Sequence, residues 1–261
     1  MRGGADVLAT GSNSKHSVKV STKSAPVDLT MSSSLTDSVS ADLKASYKAP
    51  AFSCDATFTS AQKVNASIAL PDLAPGLSKT TLSFSVPDIK SGKLALDYSR
   101  ASLSAKASMG LTATPKAECS VSTTMRDLTV GGEVGYDSKA SAVSKWSVGA
   151  QYKLPSLVLA GILTDKGETV KASMATEVNG DITVGAEAVH KMAKGTTAFT
   201  LGAAAKLDGA TVKAKIDNTG IASAMLETEV KPKAKMTFAG SFDALNLEKQ
   251  PKVGIAMDIK A

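Results

Sequence analysis

The sequence predicts an all-β fold, a closed transmembrane β-barrel of about nineteen strands. Three observations predict it. Side-chain character alternates with a period of two along almost the whole chain, turn residues interrupt it at short intervals, and apolar residues are spread too thinly to form a packed core or a membrane helix.

The alternation starts near His16 and repeats in segment after segment. Ser17, Lys19, Ser21 and Lys23 fall on one face of a strand, with Val18, Val20 and Thr22 on the other. Ser40, Asp42, Lys44, Ser46 and Lys48 oppose Ala41, Leu43, Ala45 and Tyr47, and Ser147, Gly149, Gln151 and Lys153 oppose Trp146, Val148, Ala150 and Tyr152. The last segment sets Lys252, Gly254, Ala256, Asp258 and Lys260 against Val253, Ile255, Met257 and Ile259. Between segments lie turn formers such as Ser24-Ala25-Pro26, Ala74-Pro75-Gly76, Asp165-Lys166-Gly167, Asn179-Gly180-Asp181, Leu207-Asp208-Gly209 and Asp217-Asn218-Thr219-Gly220. Connections this short favour antiparallel hairpins. Cutting at each signal places strand starts near residues 16, 27, 39, 52, 63, 77, 91, 103, 116, 128, 143, 156, 169, 181, 196, 210, 221, 234 and 252.

Closure and a membrane follow from what the strands lack. Their apolar faces are mostly Ala, Val, Leu and Met, poor material for the dense aromatic interior of a β-sandwich. A long series of strands without helices leaves edges to protect, and closure removes them. A solenoid needs a fixed repeat, and none is found. A tilted strand crosses the hydrocarbon layer in roughly 9 to 11 residues, and the chain allots about 13 to each strand and its turn. The 4% aromatic content departs from the girdles usual in such barrels.

Several function classes drop out. No window holds 18 consecutive apolar residues, so a transmembrane helix is excluded. Residues 1–14 lack the marks of a secretory signal or a typical cleaved transit peptide, so any address is expected elsewhere in the chain. Cys54 and Cys119 stand far apart without metal spacing and read as small apolar side chains. The net charge of +6 is dispersed, with no basic run of the kind that binds nucleic acid. His16 and His190 lie near strand ends as surface or lumen residues; no nucleophile motif, phosphate loop or metal cluster accompanies them, so neither an enzyme nor a cofactor is expected.

The polar faces should line a water-filled lumen. Lys19, Lys23, Lys44, Lys48, Lys93, Lys106, Lys153, Lys171, Lys206, Lys213, Lys215, Lys235 and Lys260 are the candidate wall cations, opposed by Asp42, Asp55, Asp97, Glu118, Glu133, Glu187, Asp243 and Asp258. A barrel of about nineteen strands has a backbone cylinder about 40 Å across, wide enough for hydrated metabolites and nucleotides. Selectivity then rests on the summed field of wall charges, and the lysine excess predicts a weak anion preference that salt screens. Membrane lipid is the partner expected on the apolar faces.

Two stretches carry a family resemblance. Ala5-Asp6-Val7-Leu8-Ala9-Thr10-Gly11 with Val18-Lys19-Val20-Ser21-Thr22-Lys23-Ser24 is similar to the start of the mitochondrial outer-membrane porins, the voltage-dependent anion-selective channel (VDAC) family. Lys215-Ile216-Asp217-Asn218-Thr219-Gly220, Thr228-Glu229-Val230-Lys231-Pro232, Lys235-Met236-Thr237-Phe238-Ala239-Gly240 and the closing Lys252 to Ala261 are similar to that family's last four strands. The resemblance implies a strand count of nineteen with the first and last strands parallel. It also implies a short helical segment within residues 1–15, in or near the pore, ahead of a barrel over residues 16–261. That segment allows at most about two turns from Arg2 to Thr10, shorter than the family helix. Lys252, Gly254, Met257 and Ile259 fit the polar, Gly, hydrophobic, hydrophobic spacing of the family's sorting signal for outer-membrane assembly. The implied function is passive passage of small anions and nucleotides such as ATP and ADP through the mitochondrial outer membrane; voltage gating and homo-oligomers stay open. A protein-import pore of the same membrane and a soluble β-rich lipid-binding or structural protein are the alternatives.

Overall fold

The computed structural model describes residues 16–35, 39–88, 91–246 and 248–260. Within them lie β1 (His16–Ser24), β2 (Val27–Leu35), β3 (Val39–Lys48), β4 (Ser53–Thr59), β5 (Lys63–Ala74), β6 (Leu77–Val86), β7 (Lys93–Arg100), β8 (Leu103–Gly110), β9 (Lys116–Met125) and β10 (Leu128–Asp137). There follow β11 (Ala142–Lys153), β12 (Leu157–Thr164), β13 (Thr169–Asn179), β14 (Ile182–Lys191), β15 (Thr196–Leu207), β16 (Ala210–Asp217), β17 (Ile221–Lys231), β18 (Ala234–Asp243) and β19 (Lys252–Lys260). Every strand begins within two residues of its sequence-based position. The helical segment expected within residues 1–15 lies outside the described residues.

The strands form one 19-stranded sheet in chain order, and β19 pairs back with β1, so the sheet closes into a barrel. Successive reversals leave β19 running in the direction of β1, the parallel closure that the resemblance implied. Chain contacts divide the sheet into two compact units, one of residues 20–33 and 40–148, the other chiefly of residues 149–260.

In the first unit the hairpins from β3 to β10 stay in plain antiparallel register, as in Lys44↔Thr57, Ser67↔Ser83 and Glu118↔Gly135, with bulges confined to Pro71/Ala74 and Leu77/Lys79. In the second unit, β12 to β19 run likewise, from Ile162↔Lys171 to Phe238↔Ile255, with bulges at Glu177/Asn179 and Glu229/Lys231. Each bulge sits beside a two-residue turn, where an unpaired residue adds the twist that a tight reversal needs.

The turns explain themselves locally. Gly76 and Gly209 take φ of +87° and +74°, a conformation glycine adopts without the Cβ penalty. The Asp217-Asn218-Thr219-Gly220 turn is built by its side chains. The Asp217 carboxylate accepts from the Thr219 and Ile221 amides at 2.9 and 3.0 Å, while Asn218 donates to the Thr197 carbonyl at 3.0 Å and accepts from the Phe199 amide at 3.1 Å. Asn218 thus extends the β15–β16 ladder beyond the last strand pair.

The described residues form no packed interior. Among the described residues the buried apolar side chains are Ala69 and Ala175, and no large side chain is fully buried. Val18, Met31, Val121, Val148, Leu201 and Ile255 are all substantially exposed. A water-soluble chain of this length would bury such residues against one another, because removing apolar surface from water is its main source of stability. The soluble β-rich alternative is therefore set aside.

Candidate functional site

Directly paired residues in adjacent strands share a face, so register traces each face across the sheet. Starting from Lys235↔Asp258, the pairs Thr237↔Glu227, Lys213↔Met225, Gly202↔Lys215, Lys206↔Thr211, Glu187↔Thr200 and Lys171↔Val189 follow one face through β19 to β13. Lys116↔Asp137, Glu118↔Gly135, Lys106↔Ser120, Asp97↔Lys106, Lys93↔Gly110 and Lys44↔Thr57 do the same in β10 to β3. Where strand parity alone would decide, ion pairs agree: Lys19 with Asp258 at 3.6 Å, Lys48 with Asp28 at 2.8 Å, and Lys145 with Glu133 at 3.9 Å. On β11, Lys145 and Lys153 share a parity; on β1, so do Lys19 and Lys23.

All the lysines expected on the polar face take this parity, and so do the acids Asp42, Asp55, Asp97, Glu118, Glu133, Glu187, Asp243 and Asp258. The same face also holds Asp28, Lys63, Lys79, Lys116, Asp137, Lys145, Glu177, Lys191, Asp217, Glu227 and Glu229, absent from the sequence-based set. The signal that finds them is the same period of two, followed to the ends of each strand.

The opposite face is almost uncharged. Outside the bulges, its charged residues in described strands are Arg100 and Lys231, each the last residue of its strand. His190, expected at the surface or in the lumen, lies on this apolar face one residue from the end of β14, paired with Thr197, whose hydroxyl is 2.8 Å from its Nδ1. Every aromatic residue within a strand is on this face: Phe58 pairs with Val64, Phe84 with Ala66, Tyr136 with Ala117, Phe199 with Ala188, Phe242 with Ala222. Each tyrosine (Tyr47, Tyr98, Tyr136, Tyr152) lies one or two residues before the end of its strand. The tyrosines thus stand near strand ends, where a girdle would meet the lipid headgroups, an arrangement that composition could not reveal.

The polar face is laced with ion pairs: Lys44–Asp55 at 3.9 Å, Lys93–Glu118 at 3.7 Å, Lys106–Asp97 at 3.7 Å, Lys116–Asp137 at 3.1 Å, Lys145–Glu118 at 2.9 Å and Lys235–Glu227 at 2.9 Å. Most of these side chains are about half exposed, Asp137 less, so the pairs add little to stability and mainly fix where charge is presented. β12 is different. Its positions on the polar side are Val158, Ala160, Ile162 and Thr164, paired with Ala175, Ser173, Lys171 and Thr169, so this strand leaves an uncharged stripe in the wall.

Of the expected sorting residues, Lys252 and Gly254 lie on the polar face, opposite Ser241 and Ala239, whereas Met257 and Ile259 lie on the apolar face, opposite Met236 and Ala234. Cys54 and Cys119 are free thiols on the apolar face, paired with Ile68 and Ala107. No group of side chains that could hold a metal ion occurs among the described residues.

A closed sheet with one charged face, one apolar face and, among the described residues, no packed interior defines a pore-forming membrane β-barrel. The chain belongs to the eukaryotic porin family, whose model matches residues 4–254. It is 31% identical over 220 residues to mitochondrial outer membrane protein porin 4 of Arabidopsis thaliana, covering 84% of this chain and 80% of that one. It is 34% identical over 249 residues to the mitochondrial outer membrane porin of Triticum aestivum, covering 94% and 90%. A triple mutant of the Rh. blastica porin superposes with a TM-score of 0.54 at 12% identity over 86% of this chain and 91% of that one, a likeness of fold alone.

Proposed function

We propose that this chain forms a channel in the mitochondrial outer membrane through which small hydrophilic metabolites diffuse passively, with a weak preference for anions. The observation that carries the reading is the confinement of charge in strand interiors to one face of a closed sheet. Hydrocarbon admits the apolar face, because an Arg or Lys at the bilayer midplane costs about 2 to 4 kcal/mol, so the charged face turns to the water it encloses. Family membership and relatives named for the mitochondrial outer membrane support the location. The lysine excess supports the anion preference, with Lys19, Lys44, Lys153, Lys171, Lys206 and Lys235 among the wall cations that attract metabolite anions, nucleotides included. Lys252, Gly254, Met257 and Ile259 serve as the assembly signal in this reading.

Recording from the refolded chain in a planar bilayer tests it. The expected result is a large water-filled conductance whose reversal potential in a KCl gradient favours chloride and relaxes toward the unselective value as salt is raised. A chain that inserts and passes no current overturns the reading; one that conducts but favours potassium overturns the charge assignment.

A further inference from the structure

Glu118 on β9 holds two lysines at once. Its carboxylate lies 2.9 Å from Lys145 Nζ on β11 and 3.7 Å from Lys93 Nζ on β7. Both partners come from two strands away, and the intervening positions are small: Ser108 faces Glu118 on β8 and Gly135 faces it on β10. A Cβ at Gly135 would stand 2.9 Å from Lys145 Cγ, so the lysine stem occupies the space that the glycine leaves. The two lysines therefore run across the strands to Glu118 instead of projecting from the wall. Lys171 and Lys206, on the same face of the other unit, make no ion pair among the described residues, nor does Glu187.

We propose that Glu118 masks Lys93 and Lys145 from passing anions and so limits the anion preference of the pore more strongly than its single charge implies. This rests on the channel reading above. Seen from a distance, two lysines sharing one carboxylate carry the net charge of a single cation, half of what the two ammonium groups would present alone. At contact, the Lys145 ammonium has a hydrogen bond already committed to the carboxylate, and the Lys93 ammonium stays drawn toward it. Removing Glu118 does more than subtract one negative charge, since it frees Lys93 to leave the wall and leaves Lys145 with only its longer 3.9 Å contact to Glu133. Salt separates the two effects. Near 1 M the screening length is about 3 Å, so the loss of a distant charge goes unnoticed while contact with a freed ammonium persists.

The test uses the full-length refolded chain in planar bilayers, comparing E118Q with E187Q by reversal potential in KCl gradients around 0.1 M and around 1 M. Both variants remove one negative charge from the same face. Masking predicts that E118Q shifts toward chloride at least about twofold further, with the gap surviving at high salt. Equal shifts at both concentrations overturn it. Should E118Q fail to assemble, K93Q/K145Q against K171Q/K206Q decides, each pair removing two positive charges. The masked pair should forfeit less than about half the anion preference that the unmasked pair forfeits, and equal losses overturn the proposal. A wild-type chain without conductance sinks the channel reading and the masking together; an anion-preferring wild type with equal variant shifts removes the masking alone.

Discussion

On β9, Lys116, Glu118, Ser120, Ser122 and Thr124 occupy one face and Ala117, Cys119, Val121, Thr123 and Met125 the other. On β12 the same parity gives Val158, Ala160, Ile162 and Thr164 against Leu157, Leu159, Gly161 and Leu163. The apolar set is kept in both strands, whereas the charged set is present in one and missing from the other. The difference follows from unequal penalties. A charge in hydrocarbon costs kilocalories, while an apolar side chain facing water costs little and is commonplace on protein surfaces. The pattern needed for membrane residence is thus one-sided, and the water-facing side is free to vary with function.

Substitutions can break that comparison. The largest effect is expected from Arg at mid-strand apolar positions: V121R on β9 or L159R on β12, and equally V18R, V148R or I255R, should each lose about 2 to 4 kcal/mol of folding free energy in the bilayer. Heat-modifiable gel mobility of protein refolded into vesicles would measure the folded fraction. Next comes I162R, the same chemistry on the same strand but the other face. It should assemble at close to the wild-type yield and move the reversal potential toward chloride; assembly as poor as that of L159R would place β12's two faces the other way round. Smaller still, K19E and K235E should leave yield intact and shift reversal toward potassium, the shift shrinking as salt rises. The smallest effect is expected for Y152A at the end of β11, which should lower the urea midpoint in vesicles by an amount equivalent to about 1 kcal/mol or less. A loss as large as that of V121R would mean that the tyrosines do more than mark the headgroup level.

Most of this architecture could be read in the sequence, because a period of two and a turn signal are both local. Strand starts at 63, 77, 103, 169 and 210 coincide with the observed ones, since Gly, Pro or Asp punctuates just before them or an alternating run begins there. β12 was legible for the opposite reason: Leu154 to Leu163 is the longest low-polarity run, and its Pro and Gly keep it from reading as a helix. What resisted was whatever depends on partners far along the chain. Alternation identifies Glu118 as a polar-face residue, yet its hold on Lys93 and Lys145 needs the register of β7 through β11 and the small residues at 108 and 135. The strand-end placement of Tyr47, Tyr98, Tyr136 and Tyr152 is hidden in a composition that counts aromatics without locating them. The side-chain scaffold of the Asp217–Gly220 turn was visible only as turn-forming chemistry, with no hint that Asn218 reaches back to Thr197 and Phe199.

The hairpins alternate in length. Seven of the nine turns that lead from an odd-numbered strand to the next are two residues long, whereas those leading from an even-numbered strand span three to eight. An odd number of crossings also separates His16, where β1 begins, from Lys260, where β19 ends. One compartment therefore meets a closely cropped rim bearing the last strand's exit, and the other a shaggier rim where the first strand enters. In sealed vesicles of a single orientation, a protease added outside would find loops to cut on only one of these rims, and an epitope grafted beside Lys260 would report the opposite compartment from one grafted into the Leu245–Gln250 loop.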